Sequence, residues 1–193
     1  MSTPGRRIAS LLQPAAGYAA SSVALKVAEI LEIHGQLRQA IAGLPPAAFE
    51  WQSAPGANTM GMLLTHIALA EVNLTQVILK AEPKGHVSDV LGIDVDDDGM
   101  PMAQFGPAPP AALAGKPEAF FLGLLAAAEA HTLDACRPLD EASLGAEIVR
   151  PPRPDGSYRV FDRRWTLHHL VEHAAQHLGQ IQVLKGCWQA SGR

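Results

Sequence analysis

Cysteine is nearly absent from this chain: Cys136 and Cys187 are the only two thiols in 193 residues. Two cysteines so far apart make no disulfide framework, and the sequence does not say whether they meet. Aromatic residues are scarce as well, at 5%. Alanine and leucine dominate instead, and small or unbranched side chains favour helix over sheet. No uninterrupted run of about 18 apolar residues occurs, so no membrane span is expected. There is no excess of positive charge. Fifteen Lys and Arg against nineteen Asp and Glu leave a formal charge of −4, which gives no reason to expect nucleic acid as a partner. Arg6 and Arg7 precede a short apolar stretch, but Gln13 and Pro14 follow without a clean signal-peptide core or cleavage site. The expected location is the cytoplasm.

What is present suits a globular fold. Hydrophobic residues make up 48% and charged residues 18%, an ordinary composition for a folded domain. The length suits one domain with a full core. Residues 1–20 read as an N-terminal extension and 21–193 as that domain.

Four helical segments stand out. The first spans roughly Ser21 to Ala42 and stops at Gly43-Leu44-Pro45-Pro46. The second begins near Asn58, a good N-cap residue, and reaches about Lys80, with Met60, Leu63, Ile67, Ala70, Leu74 and Val77 as its apolar stripe. The third runs from about Pro117 to Arg137, and the fourth from about Thr166 to Lys185. Residues 82–115 show no lasting periodicity and read as a long loop of the functional or lid-like kind. Residues 138–165 contain the turn signal Pro151-Pro152-Arg153-Pro154-Asp155-Gly156, flanked by stretches able to pair as a small hairpin. The expected fold is all-α, a four-helix bundle with long inter-helix connections.

The chemistry concentrates in the fourth segment, where His168, His169, His173 and His177 fall within ten residues. A helix turns about 100° per residue. Leu167, Leu170, Val171, Ala174, Leu178 and Ile181 then define the buried face, with His173 and His177 at its edge and His168 and His169 toward solvent. Imidazoles four residues apart can share one metal ion. His66 holds the matching position at the edge of the second stripe, beside Met62 and Ala70. Three neutral imidazoles suit a divalent transition metal, zinc or nickel first and manganese, iron or cobalt next. A lone histidine on such a face is more often a hydrogen-bonded core residue, so spacing alone does not settle the site.

Two further motifs carry a metal-site pattern. His169-Leu-Val-Glu172-His173 matches the inverted zinc-protease pattern, but His169 points off the buried face, and Glu172 reads better as a solvated residue. Asp94-Val-Asp96-Asp97-Asp98-Gly99 opens like a calcium loop, yet its twelfth position is Phe105, where a bidentate glutamate is required. Trp51 and Trp165 are candidates to line a pocket, although single tryptophans near helix starts are more often packing anchors, and Cys136 reads as a small buried residue. His34, His86 and His131 have no evident partner in the sequence.

The stretch Leu44-Pro45-Pro46 … Trp51 … Pro55-Gly56-Ala57-Asn58-Thr59-Met60-Gly61-Met62-Leu63-Leu64-Thr65-His66, followed much later by His173-x-x-x-His177-x-Gly179-Gln180-Ile181, resembles the DinB/YfiT-like superfamily of bacterial four-helix bundles. The likeness runs from about residue 20 to residue 187. It implies a divalent metal on His66, His173 and His177, and a homodimer built through helix faces. Characterised members of that family include S-transferases and maleylpyruvate isomerases that use mycothiol or bacillithiol. The resemblance therefore implies a thiol S-transferase or isomerase, or a hydrolase, working on a small-molecule substrate through a metal-activated thiolate or water. A low-molecular-weight thiol would be the co-substrate. The arginine-rich fourth helix of mycothiol-type members is missing here, with Gln176, Leu178 and Gln182 in neighbouring positions. No dedicated general base is legible, and Gln180 and Arg164 are the candidate positioning groups. The alternative is a non-catalytic metal-binding or stress-response bundle, which would need a fourth ligand that the pattern does not show.

The calcium-loop reading is open to direct measurement. Titration calorimetry should find no calcium binding tighter than about millimolar. Tight binding abolished by Asp96→Ala would show that the loop is a calcium site despite Phe105.

Overall fold

The computed structural model describes residues 10–82, 85, 87–93 and 110–192. Four long helices carry the fold: α1 (Ser21–Ile41), α3 (Met60–Leu74), α5 (Glu118–Cys136) and α7 (Arg163–Ala190). Short helices α2 (Pro46–Glu50), α4 (Ser88–Leu91) and α6 (Glu141–Leu144) lie in the connections, with a 3₁₀ turn at Ala111–Leu113. The final turn of α3 continues as a π-helix over Thr75–Leu79, where Lys80 N–H donates to Thr75 O at 2.9 Å.

Helix starts follow side-chain chemistry, which corrects two expected boundaries. Thr59, not Asn58, caps α3, accepting from Met62 N at 3.1 Å. Asp162 caps α7, accepting from Trp165 N at 2.7 Å, so that helix begins three residues before Thr166. Each cap satisfies an amide that has no partner inside its helix. Gly43 lies at φ +73, a backbone shape that glycine adopts without strain, and its N–H donates to Glu118 at 2.8 Å.

Contacts between the helices fix their directions. Gly61 meets Phe121 near the starts of α3 and α5, and Thr75 Oγ1 lies 2.8 Å from Thr132 Oγ1 farther along both, so α3 and α5 are parallel. Arg38 at the end of α1 bonds Glu129 of α5 while Tyr18, ahead of α1, reaches Leu133 O. Helix α1 is therefore antiparallel to both. Lys185 of α7 donates to Ala40 O at 2.7 Å near the ends of α7 and α1, so these two run together. The order is up, down, down, up. Parallel neighbours α3 and α5 need a connection that returns the length of the helix, about 30 Å for twenty residues. This is the physical reason for the long 82–115 segment. Its described parts are not a structureless loop, because Val87, Leu91, Ile93 and Leu113 are buried in the core. The acidic stretch Asp94–Gly99 lies outside the described residues, as does His86.

The expected hairpin forms as β1 (Ile148–Val149) and β2 (Val160–Phe161), antiparallel, with Ile148 opposite Phe161. Gly156 turns the loop at φ +81.

Helix α3 is buried on nearly all sides, including Met60, Leu63, Leu64, Ile67, Ala68 and Val72. Helix α5 comes so close that a Cβ at Gly61 would sit 2.8 Å from the Phe121 ring and 2.9 Å from Phe49 O. Two segments, Met60–Leu79 and Glu118–Cys136, are long and apolar enough to cross a membrane by length and composition, although neither is an unbroken apolar run. In the first the composition has another cause, since 78% of its apolar window lies buried in the bundle, against 39% for the second.

One polar cluster is buried among these helices. His34 of α1 is 1% exposed and Glu71 of α3 is 3% exposed. His34 Nε2–H donates to Glu71 Oε2 at 2.8 Å. Glu129 Oε2 of α5 lies 3.2 Å from Nδ1 as an ionic contact and takes Arg38 at 2.5 Å. Burial alone would lower the His34 pKa, but the charge and hydrogen bond of Glu71 and the charge of Glu129 overcome it and raise it above its ordinary 6.5, against the opposing charge of Arg38. Both ring nitrogens thus face carboxylates, which favours the imidazolium. A folded pKa above the unfolded one gives stability that is full below pH 6.5 and lost as pH rises through the folded value. Urea denaturation should show wild type losing stability on the alkaline side of pH 6.5. In His34→Gln that loss should be absent. A parallel decline in both proteins would mean that His34 is neutral.

Candidate metal centre

The site forms where α3 and α7 run antiparallel. His66 lies one turn past Met62 on α3, and His173 and His177 lie one turn apart on α7. The flanking residues lock all three. Leu63 and Ile67 are buried around His66, and Ala174 and Leu178 around the α7 pair. At the far end of the contact, Arg163 Nε–H donates to Leu79 O at 2.7 Å, pinning the register of the two helices.

The three imidazoles converge through the same atom. His173 Nε2 lies 3.1 Å from His66 Nε2 and 3.1 Å from His177 Nε2. All three are half-buried, and their ligand atoms lie within 4.8 Å of one another. The rings meet edge to face, with centroids 4.5 to 4.9 Å apart. His177 Nδ1–H donates to Gln180 Oε1 at 2.8 Å, which leaves the His177 Nε2 lone pair free to face the cluster. Burial, followed by the charges of His177, His66 and His169, holds the His173 pKa down to about 3, so this imidazole is neutral near pH 7. In the tautomers that leave each Nε2 unprotonated, three lone pairs face one another and repel unless something cationic shares them. Nitrogens bound about 2.0–2.1 Å from a tetrahedral ion sit about 3.3 Å apart. The donor set and its spacing therefore fit a transition metal ion.

The other sequence candidates fall elsewhere. His169 is outside the cluster: its ring stacks on Trp165 at 4.6 Å, and its Nδ1 lies 3.4 Å from Glu172. Glu172 also takes Gln176 at 3.3 Å. The inverted-protease pattern is thus a surface pairing. His168 is exposed. Arg164 is not a positioning group for the cluster, since its guanidinium donates to Glu141 O at 3.2 Å and packs on Gly145. Trp165 is 38% exposed and lines a cleft with Phe161 and Arg159, so it is no buried anchor. Cys136 is buried as expected, and burial, with the nearby Glu71 charge, pushes its thiol up to about 12, too high for a nucleophile at neutral pH. Cys187 is exposed, and both thiols are free. His131 is half-buried, with its pKa lowered by burial and then by Lys80. The sequence reading missed the partners of His34, because Glu71 and Glu129 are remote in sequence and meet it only through packing.

A family model described as the DinB superfamily matches residues 30–181. The chain belongs to the DinB superfamily. A crystal structure of a conserved protein from Enterococcus faecalis is similar, with a TM-score of 0.63 and 19% identity over 84% of this chain and 94% of that one. At that identity the likeness shows the fold alone. No curated protein matches the sequence. The DinB-like bundle thus places a histidine triad suited to metal between two of its helices.

Metal analysis after nickel or zinc loading should find about one ion per chain. His66→Ala and His173→Ala should lose it, while His168→Ala and His169→Ala should keep it. Equal dependence on His169 and His173 would overturn this geometry in favour of the inverted-protease arrangement.

Proposed function

We propose that this DinB-superfamily protein is a metal-dependent enzyme acting on a small molecule, as a thiol S-transferase or isomerase, or as a hydrolase. The observation that supports this reading is the size of the cluster. Among the described residues no fourth His, Cys, Asp or Glu joins His66, His173 and His177. Three protein donors are the pattern of sites that leave a position for an exogenous molecule. All-nitrogen donors favour zinc or nickel, with cobalt, iron and manganese behind them. Such an ion, once bound, supplies Lewis acidity that makes a thiol or a water molecule nucleophilic at neutral pH.

The side chains of the chain itself prepare that chemistry. His173 offers its lone pair without first releasing a proton, because its burial already keeps it neutral. Gln180 holds His177 in one tautomer and one orientation. Leu170, Ala174 and Leu178, all buried, close the inner side of α7 and keep water from approaching the imidazoles through the core. No described carboxylate stands in the cluster to act as a base, which leaves activation of the nucleophile to the bound ion. A low-molecular-weight thiol is the co-substrate of the transferase form of this reading.

Screening metal-loaded protein with low-molecular-weight thiols, electrophiles and hydrolysable esters and amides tests the proposal. His177→Ala should remain helical by circular dichroism, since the apolar faces supply most of the burial, and should lose at most a few kcal/mol. It should also lose metal and whatever turnover the wild type shows. Outright unfolding of this variant would make the metal structural and favour a non-catalytic bundle. Full turnover without metal would exclude this mechanism.

A further inference from the structure

Beside His177 a groove of about 470 Å³ opens between the start of α3 and the second half of α7. It shares Gln180 with the metal centre, since this side chain both lines the groove and accepts from His177. None of the nine lining residues is charged. Its polar members are Ser53 and three carboxamides, Asn58, Gln176 and Gln180; Val183, 66% exposed, and Leu63 supply apolar wall. Asn58 Oδ1 is buried with no hydrogen-bond partner. A buried acceptor without a donor is costly unless a ligand or water supplies one. Gln180 spends its oxygen on His177, which leaves its amide N–H groups as the donors it can offer. The middle of the α7 wall is Gly179, where an added Cβ would meet nothing within 4 Å.

We propose that this groove is the substrate site, and that it takes an uncharged molecule carrying an amide-like group next to an apolar one. The inference rests on the metal-enzyme reading above and names its substrate class. An N–H of the ligand answers Asn58 Oδ1, its carbonyl accepts from Gln180, and its apolar part covers Val183. The lining itself offers no positive side chain, so an anionic group seated among Asn58, Gln180 and Val183, away from the ion, loses its hydration without return. Amides, ureas and carbamates share the recognised chemistry.

The test uses the as-isolated full chain and three probes: acetanilide, N-methylacetanilide, which lacks the N–H, and the anionic 4-acetamidobenzoate. Dissociation constants are measured by ligand-observed NMR titration. Acetanilide should bind best, with N-methylacetanilide weaker by about fivefold, the loss of one hydrogen bond. Gly179→Leu should fill the groove and weaken acetanilide by about tenfold or more, with metal content unchanged. Leucine is also the better helix former. Asn58→Leu should weaken acetanilide but not N-methylacetanilide, a pattern that a misfolded variant would not give. Failure of acetanilide to bind, indifference to Gly179→Leu, or equal binding of the anionic probe would overturn the proposal. So would a fall in the solution mass of Gly179→Leu, which would mean that a second copy covers the groove. If the probes behave as expected in protein that binds no metal, the groove stands and the metal reading fails.

Discussion

The register between α3 and α7 is the constraint on which the rest depends. Three imidazole nitrogens, with His173 Nε2 3.1 Å from each of the other two and all within 4.8 Å, tolerate almost no sliding. A shift of one residue moves a side chain about 1.5 Å along a helix and about 100° around it. The structure holds this register from both ends. Arg163 reaches Leu79 O at one end of the contact, and Lys185 ties the far end of α7 to Ala40 O of α1. Between them the α3–α5 approach is set by Gly61 against Phe121 and Phe49. The apolar packing thus assembles the triad by itself, and this limits how much any ion held there would contribute to folding.

Much of this was legible in the sequence, and the residues show why. Periodicity located all four long helices, because each buries a stripe or more of alanine and leucine. The helical wheel separated His173 and His177 from His168 and His169, because the α7 face is narrow and clearly apolar. Helix starts were less legible: Asn58 and Thr59 are both competent caps, and only the backbone decides which accepts. The 82–115 segment misled for a different reason. Its length reflects the return trip between parallel α3 and α5, a topological demand that leaves no periodic mark. The triad itself rests on one local signal and one remote one. The His173/His177 pair can be seen within a helix turn, whereas His66 became specific only through the family resemblance.

The His34 network shows the limit most sharply. Nothing near His34 in sequence marks it, and its two carboxylates come from different helices. Glu71 sits five residues beyond His66 on α3, about 140° around the axis. The same helix therefore carries polar groups on two opposed sides while being buried on most of its circumference. A helix so apolar could rotate or slip within its neighbours with little change in hydrophobic burial. The two polar sites remove that freedom. Rotation that separated Glu71 from His34 would leave a buried carboxylate facing hydrocarbon, a cost of several kcal/mol. Rotation that moved His66 would break the nitrogen cluster. The charge network on the α1 and α5 side thus orients α3, and that orientation is what delivers His66 to the pair waiting on α7. On this account the buried ions act less by adding stability than by choosing one rotation of a nearly featureless helix.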